Sequence, residues 1–238
     1  THLWASPDSV IRDLRTAAAR SLGVTIKSLI TSTGLLLPSS LAVQETGLED
    51  GESVTAVVQS VQVAANSKGF AIIRTDGSVA IGGDSELEES ARLRRRYLHE
   101  VQQIQSNSGA FAAIRSDGRV VTFGDADSGG DSCQVEDELR DVEEIQASHA
   151  AFAAIRRDQT VVTWGHAGCG GDSREVRELL KGVQKIQSTR KAFAALLADG
   201  TVVSWGDQFL GGDSSKVQTM LQQVQDIQSS SCSFAAIL

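Results

Sequence analysis

The sequence predicts a mainly β protein with short helices, in which an array of repeated β units follows a small α+β module. Phe70, Phe111, Phe152, Phe193 and Phe234 stand 41 residues apart, and a constant step of this size is typical of a repeat architecture. Both prolines lie in the first 60 residues, which indicates a boundary after that segment. With 238 residues, 41% of them apolar, the chain is long enough to bury a core.

Composition narrows the classes of function. The 22 basic and 30 acidic side chains give a net charge of -8, which disfavours a phosphate backbone as the main partner, so nucleic acid is not expected. The longest apolar stretches fall short of the ~20 residues that cross a bilayer, so no membrane span is expected. Three cysteines without a Cys-x-x-Cys spacing argue against a disulfide framework or a zinc ribbon.

The first segment has the pattern of one helix followed by strands. Ser6-Pro7-Asp8-Ser9 predicts a helix start, because a hydroxyl cap precedes proline at the first helical position. Apolar residues at steps of three and four, from position 10 to position 22, predict one buried helix face, and Gly23 ends the helix. Strand-like stretches follow at 28–33 and 54–58.

This order of elements resembles the ubiquitin-like fold over residues 1–60. The resemblance implies a β-grasp module. Its first strand would precede Thr1, so we expect the module to lack that strand and the chain to belong to a longer protein. The diglycine tail used for conjugation is absent, because Val58-Gln59-Ser60 runs directly into the next segment.

Each 41-residue copy predicts three strands. Residues 101–105 alternate apolar and polar side chains, as a half-buried strand does. A second strand at 111–114 and a returning strand at 120–123 are joined by Asp117-Gly118, which predicts a type I′ hairpin. The third copy has Asp158-Gln159 instead, which predicts a strained turn or another turn type.

A Gly-Gly-Asp-Ser motif follows the third strand of three copies, at 129–132, 170–173 and 211–214. Apolar pairs four residues apart come next, so we predict short amphipathic helices capped by the Asp-Ser pair. In the first copy the motif stands earlier, at 82–85, and the predicted helical stretch at 86–99 is longer.

The sequence Asp-Gly-Thr-Val-Val-Ser-Trp-Gly at 199–206 resembles the repeat of the regulator of chromosome condensation family, a β-propeller. The resemblance covers residues 61–238, as four repeats and the start of a fifth. It departs from the family in its shorter repeat, in Gly-Gly-Asp-Ser where Gly-Gln-Leu-Gly is common, and in alanine where histidine commonly precedes the anchor phenylalanine. Because the family generally has about seven blades, it implies an incomplete β-propeller-like array here.

No catalytic, cofactor or metal site is predicted. The Gly-Gly-Asp-Ser loops could hold an anion, but their aspartates would repel phosphate, and helix capping explains the same residues. One carboxylate per loop is too few for calcium. A Cys169–His166 nucleophile pair would need a third, orienting group, and none is evident.

Six residues are candidate partner contacts. Arg92, Arg94, Arg95 and Arg96 form the one dense basic run, which either docks on an acidic partner or belongs to a solvated helix paired with nearby glutamates. Trp164 and Trp205 either pack in the core or form a binding hot spot.

These features favour a non-catalytic protein–protein interaction scaffold that binds through its repeat loops and its ubiquitin-like docking module. The resemblances imply two alternatives. One is a fragment of a large propeller-containing ubiquitin ligase or small-GTPase exchange factor, whose full-length form could carry a catalytic domain. The other is an accessory subunit of a larger multi-subunit assembly. The expected location is intracellular, cytoplasmic or organellar.

Overall fold

The chain folds into small antiparallel sheets with two α-helices, in a computed structural model that describes residues 2, 4–24, 26–58 and 61–238. Mainly β structure therefore agrees with the predicted fold class. Within these ranges, no helix combines the length and the apolar character needed to span a bilayer.

The N-terminal part packs one helix on a three-stranded sheet. Helix α1 is Ile11–Leu22, and strands β1 (Ile26–Thr31), β2 (Leu36–Leu37) and β3 (Val54–Val58) pair antiparallel in the order β2-β1-β3. Ile11 and Ala18 face the sheet and share its core, so the helix buries one face, as its apolar periodicity requires.

The start of α1 differs from the prediction. Residues 7–9 form a turn and Val10 makes an isolated bridge to Ala42, so the predicted start at Ser6-Pro7-Asp8-Ser9 is wrong. The bridge holds Val10 in an extended conformation, which delays the first helical residue. Gly23 ends the helix as predicted, with a left-handed φ of 66°.

Five β units follow. Three strands form each of the first four units, and two strands form the fifth. The first unit comprises β4 (Gln62–Ala65), β5 (Gly69–Ile73) and β6 (Val79–Gly83); the second β7 (Val101–Ser106), β8 (Ala110–Arg115) and β9 (Val120–Gly124); the third β10 (Val142–Ala147), β11 (Ala151–Arg156) and β12 (Val161–Gly165); the fourth β13 (Val183–Ser188), β14 (Ala192–Leu197) and β15 (Val202–Gly206); the fifth β16 (Asp226–Ser229) and β17 (Phe234–Ile237). The first strands of units two to four begin at Val101, Val142 and Val183, a constant step of 41 residues.

Neighbouring units bury each other's apolar faces. Ala151, Ala153 and Ile155 of the third unit share a core with Ile186 and Phe193 of the fourth. The same positions form the cores between the other consecutive units. Because side chains alternate along a strand, each middle strand contributes one face to the preceding unit and the other to the next.

The hairpin turns within the units are not type I′. The Gly118 N–H donates to the Arg115 carbonyl at 2.9 Å, and the Arg115 N–H donates to the Arg119 carbonyl at 2.9 Å. Only Gly118 has a positive φ, of 78°, whereas type I′ needs two such residues. The geometry is a type I turn followed by one left-handed residue. In the third unit Gln159 occupies that position with a φ of 63°.

The Gly-Gly-Asp-Ser motif begins an α-helix in the first unit only. There α2 spans Ser85–Arg94 and continues into a 3-10 turn at Arg95–Tyr97. Units two and three have single 3-10 turns instead, at Cys133–Val135 and Arg177–Leu179, and the fourth unit has turns only. The prediction of helices capped by the Asp-Ser pair is therefore wrong for them. Asp131, Asp172 and Asp213 each accept a hydrogen bond from the N–H two residues later, at 2.9–3.0 Å, which is an Asx turn.

The motif glycines of the second unit are closely packed. Gly129 has a left-handed φ of 89°, and a Cβ built on it would lie 3.0 Å from the Phe152 ring of the third unit. A Cβ on Gly130 would lie 2.4 Å from the Gly124 carbonyl oxygen of its own unit. Glycine at these two positions therefore lets the loop approach both the next unit and its own third strand.

Candidate interaction surface

Helix α2 forms because its N-terminus is capped and its first turn is acidic. The Asp84 carboxylate accepts a hydrogen bond from the Leu87 N–H at 2.9 Å. Glu86 and Glu88 lie in the first turn, and Arg92 and Arg94 in the last, so the charges complement the helix dipole.

The inner face of α2 is fixed on the second unit. Leu87 and Ala91 are buried with Phe111 and Phe123. The Ser90 hydroxyl accepts a hydrogen bond from the Gly124 N–H at 3.0 Å. These contacts lock the rotation of the helix about its axis and so decide which side chains point to solvent.

We define the basic patch as residues 92–97, the outer surface at the end of α2. Arg92 pairs with Glu89 at 2.7 Å, and this hydrogen bond lowers the pKa of the Glu89 carboxyl. Arg94 reaches Asp131 of the second unit at 3.9 Å. Ion pairs were expected between the arginine run and nearby glutamates. Among the described residues, one such pair forms within α2, between Arg92 and Glu89.

The remaining members of the patch face outward. Arg95 and Arg96 are exposed, and no carboxylate among the described residues lies within 4.0 Å of either guanidinium. Arg96 stacks over the Tyr97 ring at 4.6 Å. Leu93 is 67% exposed and Tyr97 is 38% exposed. The patch thus combines unpaired cations with apolar and aromatic surface.

The two candidate tryptophans lie inside the array. Trp164 and Trp205 are each 4% exposed and stack on Phe152 and Phe193 at 5.3 and 5.4 Å. Their indole N–H groups donate to the carbonyl of the first loop glycine of the preceding unit, at 3.1 and 3.0 Å. This placement favours core packing over contact with a partner.

The loop aspartates accept hydrogen bonds from their own loops. In the described part of the chain, no three histidine, cysteine or acidic side chains gather around a point that could hold a metal ion. Asp172 is engaged by Arg174, whose hydrogen bonds lower the pKa of that carboxyl to about 2. The aspartates hold their own loops.

The Cys169–His166 pair does not form a nucleophile and base. Cys169 is buried, and this burial raises the pKa of its thiol. The link between the two residues is a backbone bond, from the Cys169 N–H to the His166 carbonyl at 2.9 Å. A raised pKa disfavours the reactive thiolate.

Two structural roles escaped the sequence reasoning. Arg15 of α1 is 9% exposed and donates to the Lys27 carbonyl and to the Ser116 carbonyl of the second unit, at 3.2 and 3.4 Å. Burial lowers its pKa.

A row of hydrogen bonds also joins one position of successive units: Ser67 Oγ to the Ser108 carbonyl, Ser108 Oγ to the His149 carbonyl, and the His149 N–H to the Arg190 carbonyl, at 2.6–2.8 Å. The 41-residue spacing could have revealed this row.

Comparison with known proteins gives likenesses only among solved structures. No family model and no curated protein matches the sequence. Prp20p from Saccharomyces cerevisiae, studied for its binding to Gsp1p and histones, is 15% identical over 79% of this chain and 54% of its own, with a TM-score of 0.45. Human WBSCR16 is 14% identical over 81% of this chain and 58% of its own, with a TM-score of 0.44. The CRINKLY WD40 ectodomain of the receptor kinase ACR4 from Arabidopsis thaliana is 14% identical over 71% and 57%, with a TM-score of 0.43. This chain spans somewhat more than half the length of each.

Proposed function

We propose that the chain is a non-catalytic protein–protein interaction scaffold that binds an acidic partner through the basic patch. The observation that carries the proposal is the pair Arg95 and Arg96, exposed and without a carboxylate partner among the described residues. They lie in the 3-10 turn that continues α2, and α2 is fixed on its other face, so the cations are presented next to a rigid element. A fixed charge loses less conformational entropy on binding than one on a mobile loop.

The chemistry of the patch specifies its partner. Arginine and tyrosine are enriched among residues that dominate binding energy, and Leu93 adds apolar area beside them. In a chain of net charge -8, this local basic surface attracts an acidic segment while the remaining surface repels it. We infer that the partner presents acidic side chains next to an apolar one.

The domain assignment belongs to the same proposal. Residues 1–60 would be a ubiquitin-like module without its first strand, supported by one helix packed on a sheet of order β2-β1-β3. Residues 61–238 would be an incomplete β-propeller-like array of four 41-residue repeats and the start of a fifth, supported by the constant strand spacing and the face-to-face cores. Such an array offers a stable support for binding surfaces.

A defined peptide tests the proposal. The probe is a fluorescent peptide with six glutamates around a leucine, and its dissociation constant is measured by anisotropy at low and high salt. The double variant Arg95→Glu/Arg96→Glu should weaken binding at least about tenfold, or ~1.4 kcal/mol. The matched control, Arg140→Glu/Arg174→Glu, changes net charge equally at arginines that are paired with Asp137 and Asp172.

The outcomes separate a local site from general electrostatics. Loss in the patch variant with little change in the control supports the basic patch. Equal losses in both double variants, or no binding by the wild-type chain, would contradict it.

A further inference from the structure

A cleft lies where α1 of the N-terminal part meets the first two β units. Its volume is about 240 Å³, which is below the ~300 Å³ at which sites for drug-sized ligands begin. Arg15 and Arg20 line it from α1, and Asp76 and Glu100 line it from the β units. The cleft therefore fits a small molecule and presents charges of both signs.

These four charged side chains form no ion pairs within the described part of the chain. No described carboxylate lies within 4.0 Å of the Arg15 or Arg20 guanidinium, and no described basic group lies within 4.0 Å of the Asp76 or Glu100 carboxylate. A charge that is partly removed from water is costly unless an opposite charge compensates it. Two cations and two anions that line one cleft therefore favour a ligand that is itself charged.

Arg15 is the strongest anion-binding group of the cleft because its side chain is buried. It is 9% exposed, and this burial, together with the nearby charges of Arg12 and Arg157, lowers its pKa. Its Nη1 and Nη2 atoms donate to uncharged oxygen atoms at 3.2–3.4 Å, while its Nε–H has no acceptor among the described residues. A carboxylate bound here would accept a charge-assisted hydrogen bond and would offset the cost of burying this cation.

Ser116 joins this cation to the acidic side of the cleft. Its carbonyl accepts a hydrogen bond from Arg15, and its hydroxyl donates to one Glu100 carboxylate oxygen at 3.1 Å. Asp76 adds a second carboxylate, of which one oxygen accepts the Ser78 N–H at 2.8 Å. Because like charges repel, these two carboxylates disfavour a multiply charged anion and attract an ammonium group.

We propose that this cleft binds a free amino acid, with its carboxylate on Arg15 and its ammonium group on Glu100 and Asp76. The apolar part of the lining favours an aliphatic side chain, and it is formed by Ala19, Val24 and Ile26. The site goes beyond the proposed scaffold function and shares no residue with the basic patch.

Three related small molecules test the requirement for both charges. Leucine carries a carboxylate and an ammonium group, isocaproate lacks the ammonium group, and isoamylamine lacks the carboxylate. Their dissociation constants are measured by NMR titration of the backbone amides, and leucine should bind with a constant of about 1 mM or below. Isocaproate and isoamylamine should each bind at least about tenfold more weakly, because each loses a charged hydrogen bond. The largest shifts with leucine are expected at Gly23 and Ser116, which line the cleft.

Glu100→Gln tests the ammonium contact without a demanding change of backbone. Gln223 holds the equivalent position before the fifth unit with a φ of 58°, against 54° at Glu100, so glutamine is compatible with this conformation. The variant should weaken leucine binding at least about tenfold and should not weaken isocaproate. Glu136→Gln is the matched control, since it removes an exposed carboxylate outside the cleft.

Arg15→Gln tests the carboxylate contact and should weaken leucine and isocaproate alike. Circular dichroism checks that the variants fold, and Glu100→Gln keeps the test decisive if Arg15→Gln does not. No shifts with leucine, shifts confined to residues outside the cleft, or equal binding of leucine and isocaproate would overturn the proposal. Equal effects of Glu100→Gln and Glu136→Gln would also overturn it. The scaffold proposal is tested separately, because its acidic peptide binds elsewhere.

Discussion

The hairpin turn of each unit contacts the start of the next unit. At this contact, one of the two facing residues is glycine and the other carries a side chain. In units two to four, the turn position is Gly118, Gln159 or Gly200, and the facing position is Asp141, Gly182 or Gln223. All six have left-handed φ values, from 53° to 78°. Wherever the turn has glycine, the facing residue carries a side chain, and the one turn with a side chain, at Gln159, faces glycine.

Distances explain the glycine in two of these turns. A Cβ on Gly118 would lie 3.0 Å from the Asp141 Cα, and a Cβ on Gly200 would lie 3.0 Å from the Gln223 Cα. Both approaches are closer than ordinary van der Waals contact. A Cβ on Gly182 would lie 3.7 Å from the Ala198 Cβ, an ordinary contact, so the coupling of positions 159 and 182 rests on the reciprocal pattern of the three pairs.

This contact predicts the effect of Gln159→Gly. A left-handed conformation costs a non-glycine residue ~1 kcal/mol or more, and glycine removes this strain. Glycine also makes the unfolded chain more flexible, which destabilises the folded protein by ~0.4–1 kcal/mol. The net expectation is an increase of up to about 1 kcal/mol in the free energy of unfolding. Gly118→Gln, which creates both the strain and the close contact, should cost roughly 1–3 kcal/mol.

A double-mutant cycle measures the coupling. Urea unfolding is compared for wild type, Gln159→Gly, Gly182→Gln and the double variant, which places the pattern of the other units in this turn. Gly182→Gln should be clearly more destabilising alone than in the Gln159→Gly background. Additivity within ~0.5 kcal/mol, or a lower free energy of unfolding for Gln159→Gly, would refute the reasoning.

Three further substitutions test other contacts. Trp164→Phe leaves the buried Gly129 carbonyl without its indole donor, so urea unfolding should show a loss of about 1–2 kcal/mol; no loss would contradict this assignment. Asp84→Ala removes the cap of α2 and should cost ~1 kcal/mol with a weaker helical circular dichroism signal; an unchanged signal would count against capping. Arg174→Ala should raise the pKa of Asp172 from about 2 toward 3.8, measured by carboxyl NMR titration. Since the folded pKa is depressed, any stabilisation by this pair is present above pH ~4 and is lost as the pH falls through about 2; it is small, because Arg174 is 85% exposed. An unchanged pKa would show that the ion pair does not form.

The strands were predictable because their signals are local. Residues 101–105 alternate apolar and polar side chains and lie within β7, and the anchor phenylalanines of units two to four are fully buried as their apolar context suggests. The turn type was not predictable from Asp117-Gly118, because both candidate turns accept glycine at a left-handed position. The hydrogen bond from Gly118 to Arg115 and the single positive φ at Gly118 distinguish them.

The candidate surface was predictable in part. The arginine run is visible in the sequence, but the exposure of Leu93 and Tyr97 depends on how Leu87 and Ala91 dock on the second unit. No sequence pattern within the helix fixes that rotation. The apolar periodicity of α1 predicts a buried face, and the helix buries one, but its buried members are Ile11, Arg15 and Ala18, while Leu22 is 47% exposed.

The aromatic position of the third strand shows that each unit is adapted to the unit before it. Trp164 and Trp205 occur where the preceding unit offers a loop glycine carbonyl to the indole N–H. Phe123 occurs where the preceding unit presents the apolar side chains Leu87 and Ala91 of α2. In the first unit this position is Gly82, and the Phe70 ring covers it so closely that a Cβ there would lie 2.7 Å from the ring. The residue at a repeat position is therefore decided by its neighbour across the interface, as the Gln159–Gly182 pair also indicates. A repeat considered in isolation leaves open whether its tryptophan is buried or exposed.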